Sequence, residues 1–259
     1  MFRTSVKQNL YSVKIAAIRI RMARTSRNIK TTRTPARRRA TKSASERPAS
    51  RRRLPAGETP YHHGDLHDAL LGAAERVLER DGLAGLTLRA VAREAGVSHA
   101  APTHHFGDLT GLLSELAAIG FRRFGAAMIA ARNSETHPLM KGLANAKAYV
   151  AYARASPGMF SLMFRTERLD MSRPSLHEAA SASFEGLASA VGAGRAGEEL
   201  TLDQAAAIAR AWSLVHGFTT LLLDGRLKDI LQRLPDGTGV DQLLDAMLRS
   251  TVSRPPDMG

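Results

Sequence analysis

The sequence predicts an all-α protein: an N-terminal three-helix helix-turn-helix domain followed by a helical-bundle domain. Three observations predict it. Alanine and leucine dominate the apolar residues and aromatics make up only 5% of the chain; the former lose little freedom in a helix, while strand-forming residues are scarce. From position 65 onward apolar residues recur at three- and four-residue spacing. The breaks in that spacing fall on glycine, proline and capping residues.

A chain of 259 residues is long enough for one or two domains. It contains no cysteine, which excludes disulfides, zinc–thiolate sites, iron–sulfur clusters and cysteine nucleophiles. The net charge is +13, and its distribution is uneven: residues 1–60 hold 17 of the 37 Lys and Arg but only Glu46 and Glu58 among 24 acidic residues. All the excess basic charge therefore lies in that segment, which carries the triplets 37–39 and 51–53 and few large apolar residues after Met22. It reads as a basic disordered arm, because it cannot bury enough apolar surface to offset its chain entropy. Three roles remain open for it: a cationic tail that follows DNA phosphates, non-native sequence upstream of a later start such as Met22, or an Arg- and Ser-rich transit peptide with the loosely amphipathic run LYSVKIAAIRIR at 10–21. No secretory signal is visible, and the longest apolar run, 211–223, contains His216 and is too short to cross a bilayer.

Between 65 and 81, Leu66, Ala69, Leu70, Ala73, Ala74, Val77 and Leu78 form one apolar face opposite Glu75, Arg76, Glu79 and Arg80, which predicts an amphipathic helix. Gly64-Asp65 supplies its N-cap and Gly82 its left-handed stop. Thr87 caps a second helix over 88–95, with Leu88, Val91 and Ala92 inward, and Gly96 ends it. Val97 turns inward and Ser98 caps a third helix reaching about 106. Two short helices joined through AGVS after a longer support helix are the pattern of a helix-turn-helix. The third helix would present Ser98, His99, Ala100, Thr103 and His104 outward, in the register of a helix that meets base edges. The competing reading is an ordinary portion of a helical bundle.

Six of the nine histidines lie between 61 and 106, and His63 and His67 stand four apart, as a metal pair on one helix face would. No carboxylate completes an H-E-x-x-H pattern, and neither a G-x-S-x-G elbow, a P-loop nor a dinucleotide fingerprint is present. The sequence therefore assigns no catalytic residue, no metal and no cofactor.

The C-terminal half predicts helices over 109–132, 138–155, 158–165, 175–192, 201–224 and 238–252, separated by HP, SPG, RP, GAGRAG and PDGTG. The 201–224 helix is apolar on nearly every face from Ala205 to Leu223 apart from Arg210. Such a helix needs cover on both sides, one from its own domain and one from a partner subunit. Leu214, Phe218, Leu221 and Leu222, with Leu244 on the last helix, are the expected homodimer contacts. Trp212 and His216 share a helical face, and with Phe121, Met159, Phe160, Met163 and Phe164 they would line an apolar pocket. The alternative for that pair is a buried Trp beside a His hydrogen-bonded to a carbonyl.

The run GDLHDALLGAAERVLERDGLAGLTLRAVAREAGVSHAAPTHHFGDLTGLL resembles the DNA-binding domain of the tetracycline-repressor (TetR/AcrR) family, through G-x-x-x-x-[ST]-x-R, V-A-x-x-A-G-V-S and H-F at the family's distances. SPGMFSLMF at 156–164 and the spaced Trp212, His216 and Gly217 resemble the C-terminal domain of the family's Trp-His-Gly subgroup. The resemblance implies a cytoplasmic, ligand-responsive regulator, acting as a repressor released by a small apolar effector. It also implies a homodimer on an inverted-repeat operator in double-stranded DNA. By the same resemblance 61–110 binds DNA and 111–252 binds effector and partner, with Thr87, Arg89, Ser98, His99, Ala100, Thr103, His104 and His105 as the DNA-contacting set. Two positions depart from the family pattern: Thr103 replaces the usual tyrosine and Leu109 the usual lysine, both backbone anchors. Pro102 is also unusual inside so short a helix. The rival reading is a helical binding or scaffolding protein that has lost specific DNA recognition.

Overall fold

The described residues of the computed structural model, 63–192 and 199–250, form ten α-helices and no strand. In chain order they are α1 (His63–Gly85), α2 (Leu88–Ala95), α3 (Ala100–Phe106), α4 (Leu109–Asn133), α5 (Pro138–Ala155), α6 (Pro157–Met163), α7 (Pro174–Ala190), α8 (Leu202–Leu223), α9 (Lys228–Leu231) and α10 (Val240–Ser250), with a 3-10 turn at Thr166–Arg168. All belong to the unit Tyr61–Gly259. The basic arm, Tyr61 and His62, residues 193–198, and residues 251–259 with the end of the expected 238–252 helix lie outside the described residues.

The first three helices form for the reasons their sequence suggests, with two corrections at their starts. The anticipated cap Gly64-Asp65 lies inside α1, which begins at His63. Gly82 interrupts α1 at φ 68° and ψ −178°, a left-handed backbone that glycine adopts without penalty. Thr87 caps α2 as expected, its hydroxyl accepting from the Ala90 amide at 3.1 Å, and Gly96 ends it at φ 69°. Ser98 does not cap α3: the helix starts at Ala100 after His99, and Ser98 contributes its carbonyl, which accepts from the Ala101 amide. Pro102 is consequently the third helical residue. Its missing N–H is one of the donors that a first turn leaves unpaired anyway, so the proline costs the helix no hydrogen bond.

One apolar core runs through the molecule. Leu70, Val77 and Leu78 of α1, Val91 of α2 and Phe106 of α3 are buried with Leu112, Leu113 and Leu116 of α4, and the same cluster continues into Val150, Met159, Leu162, Met163 and Leu176. Each such side chain contributes about 1.5–3 kcal/mol when fully buried. The long helix α4 is the spine, packing chiefly on α7 and α5. Its start is fixed by Asp108, whose carboxylate accepts from the Gly111 amide at 2.7 Å.

The apolar helix α8 departs most from expectation. Its buried residues are Ile208, Val215, Phe218 and Thr219, while Leu202, Leu221 and Leu223 are exposed. Among the described residues it is the one helix long and apolar enough to cross a membrane, with a mean hydropathy of 1.3 over its most apolar window; the uninterrupted run 211–223 understated it, because the helix extends through Arg210 to Leu202. One face is committed to this protomer through α5 and α7. The other is open.

Candidate nucleic-acid interface and effector site

The candidate recognition surface is built on α2 and α3. Ser98, His99, Ala100, Thr103 and His104 are exposed, as are Thr87 and Arg89. Residues 100, 103 and 104 share one face of α3 by their three- and four-residue spacing. Beneath that face Pro102 and Phe106 are buried and Val97 packs on the core, so the helix is fixed by its inner side while its outer side stays in water. His105 differs from the rest of the expected contact set. It is half-buried, its ring 6.1 Å from His67 and 5.7 Å from His104, which places it at the end of α3 as a packing residue. Leu109, the departure from the family's lysine, is half-buried against the core and opens α4.

Ionic contacts fasten the support helix to its neighbours. Glu94 of α2 accepts from Arg76 Nε at 2.9 Å and Arg80 Nη1 at 3.0 Å, both on α1, and these two guanidinium groups hold its carboxyl below the usual carboxylate range. Arg123 of α4 pairs with Glu75 of α1. Exposed pairs of this kind are screened by water and salt, so their contribution is alignment of α1 with α2 and α4 more than stability. Among the described residues no group of three or more His, Asp or Glu is placed to hold a metal ion.

The second site is an aromatic cluster between α4, α5, α6 and α8. His216 is its centre: its ring lies 4.7 Å from Phe164, 5.6 Å from Phe160 and 6.4 Å from Trp212. Phe121 meets Phe164 edge-on at 6.0 Å. Met159 and Met163 are buried behind these rings. The structure thus brings together the residues that sequence spacing suggested, and adds three from elsewhere. Tyr149 Oη and His216 Nδ1 are joined by a 2.8 Å hydrogen bond, so the partner of the histidine is a phenol and not the carbonyl of the alternative reading. Tyr152 donates to the Gly120 carbonyl at 3.1 Å, and Phe124 packs edge-on against both tyrosines. The i, i+3 aromatic pair on α5 was the available signal for them.

Burial sets the protonation of this cluster. It pushes the Tyr149 phenol well above its ordinary range and pushes Tyr152 up to about 12. It lowers His216 below its ordinary 6.5, so the imidazole is neutral at pH 7. Since the unfolded chain takes up the proton first as pH falls, stability is complete above about 6.5 and declines as pH drops toward the lower folded value. Thermal unfolding followed from pH 8 to pH 5 is therefore expected to show a smaller loss of Tm for His216→Gln than for the parent protein; equal losses would place the titration elsewhere.

A third feature lies beside α8. An open apolar groove of about 350 Å³ is lined by Leu214, Gly217 and Leu221 of α8, Ile230 of α9, and Leu243 and Met247 of α10. One expected dimer contact does not face outward. Leu244 is fully buried, because α10 packs against α5 within the same protomer, whereas Phe218, 6% exposed, lines the groove. Leu222 is half-buried on the core. Leu214 and Leu221 remain available.

With the geometry established, comparison with known proteins is specific. Residues 70–116 match the family model described as "Bacterial regulatory proteins, tetR family", and residues 143–251 match that of the "Tetracyclin repressor-like, C-terminal domain". A solved structure of a protein of unknown function from Rhodococcus sp. RHA1 is 36% identical, with a TM-score of 0.59, covering 74% of this chain and 98% of that one. The transcriptional regulator FadR from Bacillus subtilis, solved with stearoyl-CoA, is 15% identical with a TM-score of 0.53, covering 72% of this chain and 98% of that one. Fatty acid degradation regulator FadR from Bacillus halodurans is 14% identical with a TM-score of 0.50, covering 76% and 97%. At those two identities the likeness is one of fold. No curated protein matches the chain.

Proposed function

Because this chain belongs to the tetR family of bacterial regulatory proteins, non-catalytic DNA-binding transcriptional regulators, we propose that it is a homodimeric repressor released from an inverted-repeat operator by a small apolar effector. The observation that carries the reading is the two-sided α3. Pro102 and Phe106 seal its inner face, while Ser98, His99, Ala100, Thr103 and His104 are left exposed in the register of a major-groove helix. We assign residues 61–110 to DNA binding and 111–252 to effector binding and dimerisation. The C-terminal domain is of the Trp-His-Gly type on the strength of Trp212, His216 and Gly217.

The aromatic cluster is the effector site in this reading. The cluster is a group of apolar rings around one polar pair, Tyr149 and His216, that can orient a ligand. An effector that packs among Phe164, Trp212 and His216 better in one arrangement of the dimer than in the other shifts the population toward it and releases DNA. The apolar groove at α8 to α10 is the partner-binding face, as its exposed leucines require cover that this protomer does not supply.

The departures at 103 and 109 favour a compensating source of backbone contacts. Leu109 is turned into core packing, and the basic arm, outside the described residues, is the segment with cations to spare. Each phosphate neutralised adds about −0.9 to the slope of log K against log salt. Binding of full-length protein to a duplex from upstream of its own gene should therefore have a steeper salt slope than binding of a variant lacking residues 1–57, with preference over a scrambled duplex retained in both. Identical slopes would remove the arm from DNA. Equal affinity of the full-length protein for the upstream and scrambled duplexes would favour the rival reading, a helical binding protein without specific recognition.

A further inference from the structure

One set of polar contacts joins the recognition helix to the turn before α7. In that turn, the Asp170 amide donates to Ser114 Oγ at 2.8 Å, and Ser114, fully buried, donates in turn to the Thr110 carbonyl at 2.7 Å. Arg173 then reaches back to α3: Nη2 donates to the Phe106 carbonyl at 2.9 Å, Nη1 to Glu115 Oε1 at 3.4 Å, and Nε lies 3.9 Å from Asp170 Oδ2. Phe106 is the last residue of α3. Its carbonyl is one of the acceptors that a helix C-terminus leaves without an intrahelical donor, and a cation there meets the negative end of the peptide dipoles. The approach is close enough to dictate sequence: a Cβ at position 111 would collide with both the Phe106 carbonyl and the Arg173 guanidinium, so residue 111 is glycine.

A second join lies at the other end of the same segment. Glu79 of α1 accepts from the amides of Gly158 at 3.2 Å and Met159 at 2.9 Å, the opening residues of α6. That helix carries Phe160 and is followed by its C-cap residue Phe164, the two rings packed on His216.

We propose that Arg173 is a positioning residue for the recognition helix, and that Arg173 and Glu79 clamp the two ends of the segment 157–173 so that packing in the aromatic cluster sets how α3 is presented. The proposal rests on the reading of α3 as the DNA-reading helix. A change around Phe160 and Phe164 displaces a segment that is tied at its start to α1 and at its end to α3, so α3 follows it or the clamps open. Arginine suits the position because its planar fork reaches a carbonyl and a carboxylate together, which a lysine cannot do.

Hydrogen exchange on the full-length protein tests this without DNA or effector. Arg173→Ala should speed exchange about tenfold in peptides spanning 100–112 while those spanning 68–78 keep their protection; Arg173→Lys should fall between. Phe164→Ala, remote from α3, should loosen the same 100–112 peptides, and adding Arg173→Ala to it should produce little further change, because the clamp is already open. Arg173→Gln, which keeps a donor without the charge, serves if the alanine variant does not fold. Unchanged exchange at 100–112, uniform loosening of the whole chain, or fully additive effects of the two substitutions would overturn the clamp. If α3 loosens as expected while the parent protein fails to distinguish duplexes, the clamp stands and the DNA-binding reading falls.

Discussion

Replacing Leu221 with arginine should convert the protein from dimer to monomer. Leu221 is 43% exposed in the protomer and sits in the groove between Leu214, Gly217, Ile230 and Met247. If a second copy covers that groove, the guanidinium is buried in each protomer with no acceptor facing it, at a cost of about 3–5 kcal/mol. At 1.4 kcal/mol per tenfold, even one such charge per dimer raises the dissociation constant by roughly a thousandfold. Light scattering at micromolar concentration should then report the 28.0 kDa protomer in place of its dimer. Leu244→Arg is the informative contrast, because Leu244 is fully buried within the protomer: that variant should lose stability itself and not merely its partner. An unchanged mass for Leu221→Arg would move the interface away from α8.

Phe106→Ala should produce the largest loss of stability among residues near the recognition face, about 3–5 kcal/mol. Its ring is 2% exposed and 4.9 Å from that of His67, and it anchors the end of α3 in the core. Thr103→Ala, one turn earlier on the exposed face, should change stability by no more than about 0.5 kcal/mol. Urea unfolding of the two variants separates the roles: the first residue holds the helix in place and the second is free to read DNA. A loss below about 1 kcal/mol for Phe106→Ala would mean that α3 is not docked as described.

Much of this arrangement was legible from local chemistry. The helix α2 occupies 88–95 as predicted because Thr87 and Gly96 act through hydrogen bonds to their own neighbours. α5 is likewise bounded by His137-Pro138 and Ser156-Pro157. The start of α3 was misplaced because Ser98 looks like a cap, whereas His99 is already helical and leaves that hydroxyl outside the first turn. The four-residue α9 carries too little periodicity to register.

Long-range packing was less visible. Trp212 and His216 pointed to one face of α8, but nothing in their spacing names Tyr149, 67 residues away, as the partner of the imidazole. The same holds for Leu244: hydropathy marks a helix as apolar without saying which stripe is consumed inside the protomer. Arg173 was invisible for a further reason, since its acceptor is a backbone carbonyl, and every residue has one.

Selection from a pool of random-sequence duplexes with the full-length protein tests the central claim most directly. A dimer presenting two copies of α3 should enrich an inverted repeat whose half-sites lie about one helical turn, roughly 34–36 Å, or a multiple of it apart, and His99→Ala should change the enriched bases without changing the spacing. Recovery of sequences with no shared half-site, or of the same sequences by a variant lacking the exposed side chains at 98, 99, 103 and 104, would contradict it.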